Sequence, residues 1–222
     1  MACNEHNREE PLKLLLIRHG ESVGNAEGRM QGQFDSPLSD LGRDQARALL
    51  ARLQDEGWKP SAIYSSDLCR AAETAGILAA GLDAPVTLDA RLREYDIGVL
   101  SGVIWREVEV LYPEVWRRLH QEEGSAAIPG EEGLDAFHER LSSMAADILA
   151  DHQQDEAVAV VSHGGSLGMI LAYLLHITPR RPLPFRFGNA SLSIVDAGPR
   201  GIRLALMNCS CHLNDGAFRA AG

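Results

Sequence analysis

No apolar run in the 222 residues approaches the ~20 needed to span a bilayer, so no membrane segment is expected. Positive charge is also in short supply. Lys and Arg number 21 against 31 Asp and Glu, a formal net charge of -10. That deficit argues against nucleic acid or an anionic membrane surface as the main partner. It leaves room for a small anionic ligand, because a local Arg/His cluster can focus positive potential inside an acidic protein. Cysteine is scarce and scattered: Cys3, Cys69, Cys209 and Cys211 do not suggest a disulfide framework, and a reducing cytoplasm is the simpler setting. Cys209, Cys211 and the adjacent His212 raise a metal reading, but a structural zinc site wants four ligands in paired clusters. Two cysteines at a strand end is the simpler account. There is no Asp-x-Asp pair for Mg²⁺ and no HExxH pattern for zinc, so neither metal nor cofactor is expected. Internal repeats and low-complexity tracts are absent as well. Residues 1–11, polar and acidic, do not resemble a secretory or mitochondrial signal and are expected to be a disordered lead-in.

What is present supports a sizeable core. Hydrophobic residues make up 45% and charged residues 23%, ordinary for a globular chain, and the length suits one domain over 1–222. Leu14 to Ile17 form an unbroken apolar run, the mark of a strand buried on both faces of a parallel sheet. A Gly-rich loop, Gly20 to Pro37, follows. "LSDLGRDQARALLARLQDEG" then reads as a helix capped by Ser39 or Asp40 and stopped by Gly57. "SAIYSS" and "PVTLD" read as short strands around an alanine-rich helix from about Asp67 to Ala80. A helix over about Val103 to Leu119 should break at Pro113, and residues 121–132 read as a polar linker. Leu134, Phe137, Leu141, Met144 and Ile148 recur at helical spacing. "AVAVVSHGGSLGMILAYLLHI" gives a buried strand, a glycine turn and an apolar helix, and strands near Ser191–Asp196 and Ile202–Asn208 close the chain. The order predicts an α/β three-layer sandwich, a mostly parallel central sheet with helices on both faces. A small helical insertion over the site is expected at about 94–133.

The first strand ends in Arg18, His19 and Gly20, and the late one in Ser162, His163 and Gly164. Such strands deliver their next residues to the carboxyl edge of the sheet, where open α/β folds bind ligands. A guanidinium and two imidazoles there are costly unless something anionic sits among them. The helix after Gly165 would add unpaired N–H groups, a further anion site. Arg70, in the first turn of the helix after "AIYSS", could point to the same edge, and with Arg18 could grip phosphate oxygens bidentately.

"RHGES" with Asn25, "QGQFDSPLSDLGRDQA", "YSSDLCRAAETA", "LREYDIGVLSG" and "VSHGG" together resemble the histidine phosphatase superfamily, the phosphoglycerate mutase-like group. The resemblance runs from about Leu12 to Leu213. It implies that His19 is the nucleophile and forms a phosphohistidine. It implies too that Arg18, Arg70 and His163 hold the phosphoryl oxygens, that Asn25 bonds the phosphate or orients its loop, and that Glu94 of the "LRE" segment is the general acid. Gln31 and Gly32, within the "RMQGQ" that sugar-phosphate phosphatases share, and Gly164 are carried over as substrate-binding positions. Asp67 and Asp96 are rival acids that match the family's acid position poorly.

A mutase usually has a longer covering insert between its acid and the region of Pro129, so a phosphatase is expected, with phosphoglycerate mutase as the alternative. "YPEVWRRL" and "NCSCHLND" are similar to metal-independent phosphoserine phosphatases, although Ile97 stands where that group often has His. Ile97, Val99 and Leu100 suggest a less polar rim. A catalytically weak phosphate-binding interaction protein on the same fold is the reading from another class. The expected partner is a small phosphorylated substrate, with no nucleic acid and no membrane, and family analogy adds a homodimer in the cytoplasm.

Overall fold

Six strands and seven helices alternate through the residues that the computed structural model describes, 10–121, 128–178 and 183–213. In chain order they are β1 (Leu12–Arg18), α1 (Val23–Ala26), α2 (Asp40–Asp55), β2 (Ala62–Ser65), α3 (Cys69–Leu82), β3 (Val86–Leu88), α4 (Val108–Leu111), α5 (Pro113–Gln121), α6 (Leu134–Asp151), β4 (Ala157–Ser162), α7 (Gly164–Leu174), β5 (Leu192–Gly198) and β6 (Gly201–Cys209). The strands form one sheet in the order β3-β2-β4-β1-β5-β6. The first four in that order run parallel, and β5 and β6 add an antiparallel edge.

Side-chain alternation along β1 divides the core. Leu12, Leu14 and Leu16 join the cluster beneath α6 and α7, with Phe137, Leu141, Leu167 and Leu171. Leu15 and Ile17 join the opposite cluster beneath α2 and α3, with Leu49, Leu53, Ala71 and Leu78. This is the three-layer sandwich the sequence predicts. Burying each Leu or Ile contributes about 1.5–3 kcal/mol, so β1 is an anchor able to hold an unfavourable polar group at its end.

Local signals largely act where they stand. Ser39 caps α2, its hydroxyl accepting from Gly42 N at 3.0 Å, and Gly57 leaves the helix at φ +75°. The expected 103–119 helix is divided at Tyr112 (φ -136°), and Pro113 opens α5 where its missing N–H is harmless. Two corrections follow. The segment Gly20 to Pro37 is not all loop: Ser22 and Asn25 make a reciprocal capping box that closes the single turn α1. Leu100 is not rim but fully buried, packed with Val108, Val115 and Ile128 under α4 and α5. Residues 1–9 of the expected lead-in, Cys3 among them, and 122–127 of the expected linker lie outside the described residues. Among the described residues no helix is long and apolar enough to cross a membrane.

Candidate active site

β1 and β4 are adjacent and parallel, with Arg18 in register with Ser162, so the residues that follow each strand emerge side by side. His19 and His163 lie there with ring centroids 5.1 Å apart, 3% and 1% exposed. His19 Nδ1 lies 2.6 Å from Gly20 O. A carbonyl can only accept, so Nδ1 carries the proton and Nε2 keeps its lone pair. Burial, then the charges of Arg18 and Arg70, hold this imidazole well below its ordinary pKa and keep it neutral. His163 is turned the other way: Nε2 bonds Ser66 Oγ at 2.9 Å while Nδ1 is buried without a partner. Its pKa is lowered by burial and then by His19, Arg70 and Arg18.

Arg70, 1% exposed, spends its two terminal nitrogens on the carbonyls of Phe34 (3.0 Å) and Gly32 (2.8 Å). Arg18 Nη1 donates to Phe187 O at 2.6 Å. In both, Nε is buried and unpartnered. Burial lowers both arginine pKa values, and Glu94 opposes the shift. Among the described residues, every buried side-chain nitrogen lacking a partner belongs to this group: Arg18 Nε, Arg70 Nε and His163 Nδ1. Leaving each unsatisfied costs about 1–3 kcal/mol. Four buried side-chain oxygens among the described residues, on Ser101, Ser142, Gln154 and Ser191, also lack a partner, but the three nitrogens are the ones on the groups gathered around His19.

Glu94 follows the 3₁₀ turn Ala90–Leu92 and reaches the start of α7. Its Oε2 accepts from Gly165 N at 2.9 Å and its Oε1 from Tyr95 N at 2.8 Å. The α7 N–H expected to serve an external anion is therefore already met, at Gly165, by this carboxylate, where the helix dipole favours it. The approach needs a glycine: a Cβ at Gly165 would lie 2.5 Å from Oε1. At Gly164, the position carried over for substrate, a Cβ would lie 3.7 Å from Arg18 Nε.

The strongest support for Glu94 was not anticipated from the sequence. Arg140 of α6 donates to the carbonyls of Arg91 (2.7 Å), Arg93 (2.6 Å) and Glu94 (3.0 Å), and its remaining hydrogen bonds go to Glu132. Ser162 Oγ adds a bond to Leu92 O and Ser166 Oγ one to Arg93 O, 2.7 and 2.8 Å. Ser66 and Asn189 were missed as well. Asn189 Nδ2 bonds both His19 O (3.3 Å) and Asn25 Oδ1 (3.2 Å), tying β1's end to α1. The only sequence hint was polar residues crowding the strand ends.

Asn25, Gln31 and Gly32 sit around this core rather than in it. Asn25 caps α1 and meets Asn189, Gln31 Oε1 accepts from Ser22 Oγ at 2.8 Å, and Gly32 (φ +49°) offers its carbonyl to Arg70. Asp67 is engaged with Arg93 (2.7 Å), whose hydrogen bond holds its carboxyl below the usual range. Asp96 accepts from Gly98 N at 2.9 Å, bracing the loop. Among the described residues no group of three or more His, Cys, Asp or Glu is placed to hold a metal ion.

The sequence model of the histidine phosphatase superfamily (branch 1) matches residues 14–210. The chain belongs to that superfamily. Within it, the chain is 36% identical to a metal-independent phosphoserine phosphatase of Arabidopsis thaliana over 188 residues, 84% of this chain and 76% of the relative. It is 38% identical over 189 residues to the Yersinia enterocolitica protein named "Probable phosphoglycerate mutase GpmB", 83% of this chain and 85% of that one. Among solved structures, a mycobacterial glucosyl-3-phosphoglycerate phosphatase in complex with VO3 is similar with TM-score 0.77 and 32% identity, covering 89% of this chain and 99% of that one. Histidine phosphatases thus supply relatives of both kinds, hydrolase and mutase.

Proposed function

We propose that this chain is a phosphomonoester hydrolase acting on small phosphorylated metabolites in the cytoplasm, through a phosphohistidine at His19 and without a metal. The observation that carries the reading is the trio of buried, unpartnered nitrogens on Arg18, Arg70 and His163 beside a neutral His19. A phosphoryl group supplies the acceptor oxygens this trio lacks, and His19 Nε2 supplies the lone pair. Nε2 attacks phosphorus as the ester P–O bond breaks; the proton of a phosphate monoanion, passed to the Glu94 carboxylate on binding, goes from Glu94 to the departing alkoxide. Water then attacks the phosphohistidine, Glu94 takes the proton back, and inorganic phosphate leaves. Positioning and preorganised charge do most of the work in such transfers. The superfamily match and the phosphatase relatives support the class of substrate.

Likeness to the Yersinia protein favours a second reading, a phosphoglycerate mutase, in which the phosphoryl group returns to a second hydroxyl instead of water. One assay separates them: inorganic phosphate release in EDTA from L-phosphoserine, 3-phosphoglycerate, sugar phosphates and an aryl phosphate. Release that persists in EDTA is expected of the hydrolase. Transfer without release would replace this reading with the mutase. Neither release nor transfer would move the chain to phosphate binding alone.

A further inference from the structure

β6 ends in Cys209, and Cys211 opens the 3₁₀ turn Cys211–Leu213. Both thiols are free, Cys211 exposed and Cys209 partly so. Their sulfurs are 3.4 Å apart, and Arg52 Nη1 of α2 lies 3.3 Å from Cys209 Sγ. The superfamily chemistry uses neither. With His212 the pair makes no metal group, since His212 Nε2 donates to Ala190 O at 3.0 Å.

We propose that Cys209 and Cys211 form a thiol pair that hydroperoxides oxidise to a reversible disulfide. The roles are set by surroundings. Burial alone would raise the Cys209 thiol, but the N–H and thiol of Cys211 and the Arg52 guanidinium outweigh it and bring it below the ordinary value. Cys211 is raised, chiefly by its hydrogen bond with Cys209. Cys209 is thus the attacking thiolate and Cys211 the resolving thiol, since the thiolate is the nucleophile. Cys209 sulfur attacks one peroxide oxygen, the O–O bond breaks, and the released alkoxide or hydroxide leaves protonated. Cys209 becomes a sulfenic acid and the peroxide is reduced by two electrons. Cys211 sulfur then attacks the Cys209 sulfur, the S–S bond forms, the S–O bond breaks, and water leaves.

Closing that bond draws the sulfurs together by more than an ångström. The turn that moves carries His212, which bonds Ala190 O, and Ala190 N in turn donates to His19 O at 3.0 Å. Ala190 already sits at φ +51°, a conformation an alanine adopts reluctantly. Oxidation therefore lowers turnover at His19, a consequence that rests on the phosphatase reading, whereas the disulfide itself does not.

The test treats the fully reduced whole chain with hydrogen peroxide, blocks remaining thiols with N-ethylmaleimide and maps peptides by mass. The peptide holding Cys209 and Cys211 should lose two hydrogens and regain them in dithiothreitol. C211S should trap a dimedone adduct at Cys209, C209S should show neither product, and R52M should oxidise more slowly. Full alkylation of both cysteines after peroxide, or a disulfide through Cys3 or Cys69 instead, would overturn the pair. Phosphate release should fall on oxidation and recover on reduction, and should resist peroxide in the C209S/C211S double variant. A disulfide that leaves release unchanged would overturn the link to His19 only. Reduced protein that releases no phosphate would count against the phosphatase reading, while the mass map still decides the pair.

Discussion

β1 and β4 run parallel and side by side, each followed by histidine and then glycine, yet the two imidazoles are set up in opposite senses. His19 turns Nδ1 onto the carbonyl of its own neighbour, Gly20, and keeps Nε2 bare. His163 turns Nε2 onto Ser66, on the loop after β2, and keeps Nδ1 unpartnered. The difference comes from what stands next to each ring, not from the strands. A main-chain acceptor within one residue forces a tautomer with a free lone pair, which is what a nucleophile needs. A hydroxyl brought from another strand can give or take a hydrogen, which suits a group that must donate to phosphate oxygen as charge builds on it. Identical side chains on equivalent supports thus acquire different chemistry from one hydrogen bond each.

The largest break in that equivalence should appear on substitution. His19→Ala should take phosphate release to the assay floor for every substrate, because the other neutral imidazole, His163, is tied through Nε2 to Ser66 and is not placed as a nucleophile. His163→Gln, which keeps a donor, should lose about 10²–10³ in kcat, the scale of one missing transition-state donor. Single-turnover experiments with an aryl phosphate would check both: labelled phosphoenzyme should form slowly in His163→Gln and never in His19→Ala. Equal loss in the two variants would mean that the hydrogen-bond asymmetry has no catalytic meaning.

Glu94 and Arg140 extend the comparison to the proton each step needs. Glu94→Gln should slow alkyl phosphates by roughly 10²–10⁴ and an aryl phosphate, whose leaving group needs no proton, much less. Arg140 acts chiefly through the loop it clamps, though its charge also bears on His163, so Arg140→Met should show the same substrate bias at smaller size, up to about 10²-fold, with Arg140→Lys partly restoring it. A uniform loss across both substrates would make Arg140 a fold residue and remove Glu94 from the acid role.

Much of this was legible in sequence because it is written locally. The apolar runs of β1 and β4 marked buried strands, and His-Gly at each end marked the sheet edge. Arg70 stood in the first turn after β2, and Ser39 and Pro113 acted as helix punctuation. What was not legible depends on distance or on being too short. Arg140 reads as one more charge on an amphipathic helix, and its three carbonyl partners lie more than forty residues earlier. α1, four residues long, is too brief to show a period and exists because two polar side chains cap each other. Leu100 is a single apolar residue in a loop, and only the packing of α4 and α5 decides that it is covered. The α7 terminus reads in sequence as a site for an external anion, and nothing nearby in sequence says that Glu94 takes its Gly165 N–H.

The smallest expected effect tests whether both histidines are neutral in the fold, as the bonding of His19 and the burial of both require. Each has a folded-state pKa below the ordinary 6.5. Above that value neither folded nor unfolded chain binds a proton there, and stability is complete. As pH falls from about 6.5 toward the depressed folded values, the unfolded chain takes up protons that the fold refuses. Stability then drops by up to about 1.4 kcal/mol per pH unit for each histidine. Urea unfolding between about pH 7 and pH 5 should therefore show a shallower loss in His163→Gln, and also in His19→Gln, than in the parent chain. Equal flattening would mark the rings as equally held from protonation, leaving the asymmetry between them to tautomer alone. Flattening in His19→Gln only would mean that His163 takes up its proton as readily in the fold as in the unfolded chain and faces phosphate as a cation below about pH 6.5. Its bond to Ser66 would then be a donated one.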